Sequence, residues 1–183
     1  MRAVRSLLAT LAIIVAWAAV APADAQETRS RRHGQKKTEA PGVATERIDD
    51  WMLRCEPQAA GQAARQCEMV QLLSAKDGKR DLLLMRLAYP PAEKGALALI
   101  VVPLDVLLPA GLGLRIDQRE PVAVAIRHCE PSGCVAPWRP SSEEVAALAA
   151  GKELLVLLRN REGKQLGLPV SLKGFAAAHA KLH

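Results

Sequence analysis

The chain has 183 residues, 50% of them hydrophobic but only 3% aromatic, and 25 Lys and Arg stand against 19 Asp and Glu for a net charge of +6. That apolar content excludes global disorder, and the length suits one domain rather than two. No run reaches the roughly 18–20 apolar residues of a spanning helix, which excludes a polytopic membrane protein.

The first 25 residues read as a secretory signal peptide. Arg2 and Arg5 form a basic start, Leu7 to Val20 an apolar run, and Ala23-Asp24-Ala25 an Ala-x-Ala cleavage site. Cleavage there predicts an exported chain beginning at Gln26: periplasmic, associated with the outer membrane, or secreted. A polar arm, mobile for want of apolar periodicity, is expected over 26–46, and a single folded domain over 47–183. The arm concentrates the excess charge. Arg29, Arg31, Arg32, Lys36 and Lys37 stand together with no acid among them. Such a run keeps a chain soluble, and it also makes these five residues candidate contacts for an anionic lipid or lipopolysaccharide surface. Nucleic acid is a poor fit, because the arm holds no aromatic for base stacking.

From Ile48 onward the chain breaks into short apolar runs separated by turn signals. Trp51 to Cys55 reads as a first strand and Gln66 to Ser74 as a second. Lys76-Asp77-Gly78-Lys79 is a tight turn, with Asp-Gly a strong hairpin signal. Asp81 to Tyr89 follows, stopped by Pro90-Pro91. Ala96 to Val102 is continuously apolar, which predicts burial on both faces. After a Leu- and Pro-rich loop, Gly113 to Asp117 and Pro121 to Cys129 form another pair, and Cys134 to Trp138 returns. Ser141 and Glu144 make a capping box for a short helix that Gly151 ends. Glu153 to Arg159 and Lys164 to Leu172 are two more strands, and Gly174 to Leu182 a short Ala-rich helix. About eight strands at this spacing predict an all-β sandwich or barrel.

The domain holds four cysteines: Cys55, Cys67, Cys129 and Cys134. An even number in an exported chain reads as disulfides, and three pairings are open. Cys55–Cys67 and Cys129–Cys134 are favoured, because each pair is close in sequence and separated by turn-forming residues. The rival is a redox or metal-binding site built from Cys129, Cys134 and His128. It is disfavoured because a thioredoxin-like centre needs Cys-x-x-Cys, and because adjacent His128 and Cys129 point to opposite faces of a strand. Trp51 and Trp138 are expected to cover the two disulfides near them in sequence. Asp49-Asp50 and Glu143-Glu144 read as solvated acids, and His179 and His183 as a solvated helix end. The sequence contains no Gly-x-Ser-x-Gly, no His-Glu-x-x-His and no phosphate loop, so no catalytic residue and no cofactor is assigned.

Several of these pieces coincide in one order: Trp51-x3-Cys55, Cys67, Gly113-Leu-Arg-Ile-Asp117, Cys129-Glu-Pro-Ser-Gly-Cys134, and Ser171-Leu-Lys-Gly-Phe175. The chain from Ile48 to Leu182 thereby resembles the invasion-associated locus B family of exported bacterial proteins. The resemblance implies an immunoglobulin-like β-sandwich with one or two short helices, placed in the bacterial envelope or periplasm. It implies a non-enzymatic protein concerned with envelope integrity or host-cell interaction and invasion, whose partner is an envelope or host protein that the sequence does not identify.

Overall fold

The computed structural model describes residues 42–57 and 66–182. The first 25 residues, the five cations from Arg29 to Lys37, and His183 lie outside the described residues.

Among the described residues, eleven strands make two antiparallel sheets. The first sheet takes β1 (Ala44–Ile48), β2 (Trp51–Cys55), β3 (Cys67–Ser74), β4 (Asp81–Ala88) and β5 (Leu97–Val102) in an uninterrupted meander, then β9 (Gly133–Trp138) and β8 (His128–Glu130). The second sheet has the order β11 (Gln165–Ser171), β10 (Glu153–Arg159), β6 (Leu112–Ile116), β7 (Val122–Val124). Two short helices, α1 (Ser142–Ala150) and α2 (Phe175–His179), complete the β-sandwich.

The strand number exceeds the expected eight or so for two reasons. β1 is polar and mostly exposed, so it has no apolar alternation; it is held by five register pairs to β2, from Ala44↔Cys55 to Ile48↔Trp51. Ala44, Thr45 and Glu46, read from the sequence as the end of the arm, are part of this strand. The stretch from Pro121 to Cys129 is also not one strand. Val122–Val124 pairs with β6 in the second sheet, and His128–Glu130 pairs with β9 in the first, so the chain changes sheets between them.

The core is aliphatic apart from three aromatics. Met69, Leu83, Met85, Ile100, Leu114, Leu148 and Leu154 are fully or almost fully buried, together with Trp51, Trp138 and Phe175. Trp51 does not cover a disulfide. It stands at the opposite end of β2 from Cys55, and its ring meets Phe175 edge-on at 5.3 Å between centroids. Trp138 is likewise at the opposite end of β9 from Cys134. A strand rises about 3.3 Å per residue, so four residues carry each ring well clear of its sulfur.

Local sequence sets the joints. Ser141 Oγ accepts from Glu144 N–H at 3.2 Å, and Glu144 Oε2 accepts from Ser141 N–H at 2.6 Å, closing the capping box. Gly151 does end α1, but its φ of −80° is ordinary. It is glycine for space: a Cβ there would lie 2.9 Å from the Ala147 carbonyl oxygen and 3.0 Å from Asp117 Oδ2. Asp117 itself sits at φ 48°, and its Oδ1 accepts from the Lys152 and Glu153 N–H groups. The end of β6 is thereby tied to the start of β10.

Candidate functional site

All four cysteines have a structural partner. Cys55 and Cys67 face each other across β2 and β3 and are bonded at 2.12 Å; Cys129 and Cys134 face each other across β8 and β9 and are bonded at 2.05 Å. Both bonds staple cross-strand neighbours, the first closing the segment between two meander strands and the second holding edge strand β8. A sulfur in a cystine offers no thiolate to a metal or a substrate. Among the described residues there is no free cysteine and no group of three or more His, Cys, Asp and Glu that could hold a metal. His128 is exposed and lies beside Val135 in the ladder, turned away from the neighbouring bond.

The acidic pairs are not simply solvated. Asp50 Oδ2 accepts from Ser171 Oγ at 2.6 Å, and Asp49 pairs with Lys173 at 3.3 Å. Glu143 pairs with Arg119, and Glu144 caps α1. His179 is not a solvated helix end either. Its ring stacks on Phe175, with centroids 5.9 Å apart, and its Nε2 lies 2.6 Å from the Tyr89 hydroxyl. Burial raises the Tyr89 pKa above the ordinary tyrosine value of 10.0.

The run from Ser171 to Phe175 fastens the two sheets together. Gln71, a buried polar residue of β3, donates through Nε2 to the Ser171 carbonyl at 2.9 Å and accepts from Ser171 N–H at 2.9 Å. Trp51 Nε1 donates to the same carbonyl at 3.1 Å. Leu172 and Phe175 are buried, and Gly174 takes φ 83° where a Cβ would strike the Ile48 carbonyl oxygen at 2.6 Å. The most distinctive motifs of the sequence are thus spent on folding.

What remains is a face. An antiparallel sheet with one solvated side normally carries polar residues there. The outer face of the first sheet carries many apolar residues as well. Leu72, Leu84, Val101 and Val135 form one cross-strand row. Met52, Val70, Arg86, Leu99 and Pro137 form the next. Burial in β5 accordingly alternates: Ala98, Ile100 and Val102 are buried, but Leu97, Leu99 and Val101 are only half-buried, because no described element covers their side. Leu72 leaves 52% of its surface exposed.

Three hollows follow these rows. One of about 620 Å³ lies over Met52, Val70, Leu72 and Leu84, with Arg47, Asp50 and Arg54 also lining it. One of about 370 Å³ continues past Leu99 and Val101 to Asp81 and Glu130. One of about 300 Å³ runs on to Arg127, His128 and Arg139. The first two share Leu72 and Leu84, and the last two share Leu99 and Val135, so together they form one trough. A contiguous exposed apolar surface rimmed by charge marks an interaction site. Sequence reading missed it, although β4 carries the signal. In Leu82-Leu83-Leu84-Met85 both alternating sets are apolar, and only one of them can face the core.

The described residues thus form a disulfide-stapled β-sandwich with a partly apolar, charge-rimmed outer sheet face. Comparison with known proteins places it more narrowly. The sequence profile of the invasion-associated locus B (IalB) proteins matches residues 51–183, and the chain belongs to that family. It is 30% identical over 142 residues to the invasion protein B homologs of Brucella abortus strain 2308 and of Brucella abortus biovar 1 strain 9-941, covering 75% of this chain and 80% of each relative. Among solved structures it is similar to the crystal structure of invasion associated protein B from Bartonella henselae. That likeness has a TM-score of 0.66 and 26% identity, over 76% of this chain and 94% of that one. These relatives are named as invasion proteins, not as enzymes.

Proposed function

We propose that this protein is a non-enzymatic, exported component of the bacterial envelope that acts by binding, in support of envelope integrity or of contact with a host cell during invasion. The apolar trough across the first sheet carries this reading. It is an extended described surface that the fold does not use, and it sits on a disulfide-stapled scaffold. The names of the relatives point the same way. A redox or metal function through Cys129, Cys134 and His128 lacks comparable support, since both sulfurs are joined to each other.

The basic arm supplies the second half of the proposal. Arg29, Arg31, Arg32, Lys36 and Lys37 attract the chain to anionic lipid or lipopolysaccharide, and the folded body then engages its protein partner. Near an anionic bilayer each cation contributes about 1 kcal/mol, over a Debye length of about 10 Å at 0.1 M salt. Cell fractionation with N-terminal sequencing tests the export half. The expected product begins at Gln26 and lies in the envelope or the medium; retention of residues 2–20 would contradict it. Deleting residues 29–37 is expected to leave thermal unfolding unchanged and to abolish low-salt retention on anionic vesicles. Undiminished retention would contradict the role given to the arm.

A further inference from the structure

Four of the seven large hydrophobic residues exposed among the described residues gather at one end of the sandwich. Leu104, Leu107 and Leu108, in the loop from β5 to β6, leave 58%, 37% and 49% of their surface exposed, and Leu166 of β11 leaves 39%. The loop is pinned along its length. Val106 is buried and bridges to Asn160, and the Leu107 N–H donates to the Arg159 carbonyl at 2.8 Å. A 3-10 turn over Leu108–Ala110 follows, and Gly111 takes φ 60° where a Cβ would strike the Val124 carbonyl oxygen at 2.7 Å. With Val106 held inward, the leucines around it stand outward. Leu166 pairs with Leu158 in the β10–β11 ladder, next to Arg159, so the loop and the strand present one apolar cap.

We infer that this cap inserts into the acyl boundary of a phospholipid bilayer. Its shape, composition and backbone favour lipid over a protein partner. None of the four leucines lines a described hollow, so the cap protrudes and offers no pocket to a partner's side chain. The loop Pro103-Leu-Asp-Val-Leu-Leu-Pro-Ala-Gly111 holds no Trp, Tyr or Arg, the residues that anchor protein interfaces. A bilayer takes protruding aliphatic side chains without a matching shape. Backbone donors are also few: Pro103 and Pro109 have no N–H, and the amides of Leu107, Ala110 and Gly111 are hydrogen-bonded within the domain.

Charge does not drive this contact. In the adjoining hairpin Arg161 is paired with Asp105 at 3.0 Å, and Arg159 and Lys164 are accompanied by Glu162. The β3–β4 turn, at the end of the first sheet where β5 also ends, carries Lys76, Lys79 and Arg80 with Asp77 and Asp81. The cap is close to balanced, so its insertion is apolar and resists salt. It is independent of the trough. A few leucines hold a protein on a bilayer only weakly, as a single short acyl chain does, and firm attachment takes a second signal such as a polybasic run. The cap alone therefore partitions at millimolar lipid and is not retained at the dilute lipid where the arm acts.

The test is titration of the full oxidised chain with phosphatidylcholine vesicles to millimolar lipid, at about 0.5 M salt, where the arm's field is screened. Leu107→Trp reports insertion: its emission is expected to shift to the blue and to be quenched by brominated lipid. Adding Leu104→Ser and Leu108→Ser is expected to raise the lipid needed by about tenfold or more, with urea unfolding unchanged. Leu72→Trp, on the outer face of the first sheet, is expected to give no shift. Deleting residues 29–37 is expected to change nothing here, whereas failure of the arm's role shows only on anionic vesicles at low salt. No shift at Leu107→Trp overturns the inference, as does a shift that survives the two serines. A shift at Leu72→Trp alone overturns it and sets the sheet face against the bilayer instead.

Discussion

The ring of Phe175 meets Trp51 edge-on at 5.3 Å, at an interplanar angle of 84°, and both residues are fully buried. Trp51 opens β2 in the first sheet, and Phe175 opens the helix that follows the last strand of the second, so the contact ties the two ends of the domain together. The Phe175 ring also stacks with His179, which brings Tyr89 into the same cluster. In a core with so few aromatics this contact has no substitute nearby. Phe175→Ala is expected to destabilise the domain by about 3–5 kcal/mol, read from urea unfolding of the oxidised protein. A loss of under about 1 kcal/mol, the size of an ordinary surface change, would show that α2 is not part of the cooperative unit.

Gly174 and Gly78 both have positive φ, 83° and 66°, but only the first is hemmed in. At Gly174 a Cβ would meet the Ile48 carbonyl oxygen at 2.6 Å and Asp49 Cβ at 2.7 Å, whereas at Gly78 nothing lies within 4 Å. Gly78→Ala is expected to cost about 1–2 kcal/mol, the left-handed backbone penalty alone. Gly174→Ala is expected to cost clearly more and to loosen the turn at Asp49. Equal melting temperatures for the two variants would contradict this assignment.

The two disulfides close loops of different length, with sequence separations of 12 and 5. On the chain-entropy account, removing the first as Cys55→Ser with Cys67→Ser costs roughly 3 kcal/mol, and removing the second as Cys129→Ser with Cys134→Ser roughly 2 kcal/mol. The second change is also expected to raise hydrogen exchange selectively in β8, an edge strand of three residues that loses its covalent tie. Uniform exchange across the first sheet would contradict that local role.

Tyr89 gives stability an alkaline limb. Its pKa is raised above 10.0 by burial, so above pH 10 the unfolded chain loses this proton while the folded chain keeps it. The contribution is fully present below pH 10 and falls as pH rises toward the folded-state value. Tyr89→Phe is therefore expected to flatten the pH dependence of unfolding above pH 10, with little change in shape between pH 7 and 9. An unchanged alkaline slope in the variant would show that Tyr89 does not titrate differently in the two states.

Much of this fold is legible in the sequence, because its signals are local. The Ser141–Glu144 capping box, the Asp77-Gly78 turn and the strand on each side of it all follow from short-range rules of turn and cap chemistry. The signals that fail depend on tertiary context. β1 forms because β2 offers it a ladder, not because Ala-Thr-Glu-Arg-Ile has a strand pattern. The change of sheet after Val124 has no local marker. The roles of Gln71, Asp50 and Asp117 depend on partners 35 to 121 residues away, so their sequence neighbours say nothing of them. The outer face of the first sheet is half visible: the apolar run Ala96 to Val102 predicts burial on both sides, but Leu97, Leu99 and Val101 are only half-buried.

The central claim is that this face, and not a catalytic centre, carries the function. Its most direct test is a count of internalised bacteria after infection of cultured host cells, using strains that carry wild type, a deletion, or Leu72→Lys with Leu84→Lys at the native locus. With equal amounts of folded, oxidised protein in the envelope, the double variant is expected to fall to the level of the deletion strain. Internalisation at the wild-type level by the double variant, with the deletion strain impaired, would contradict the account.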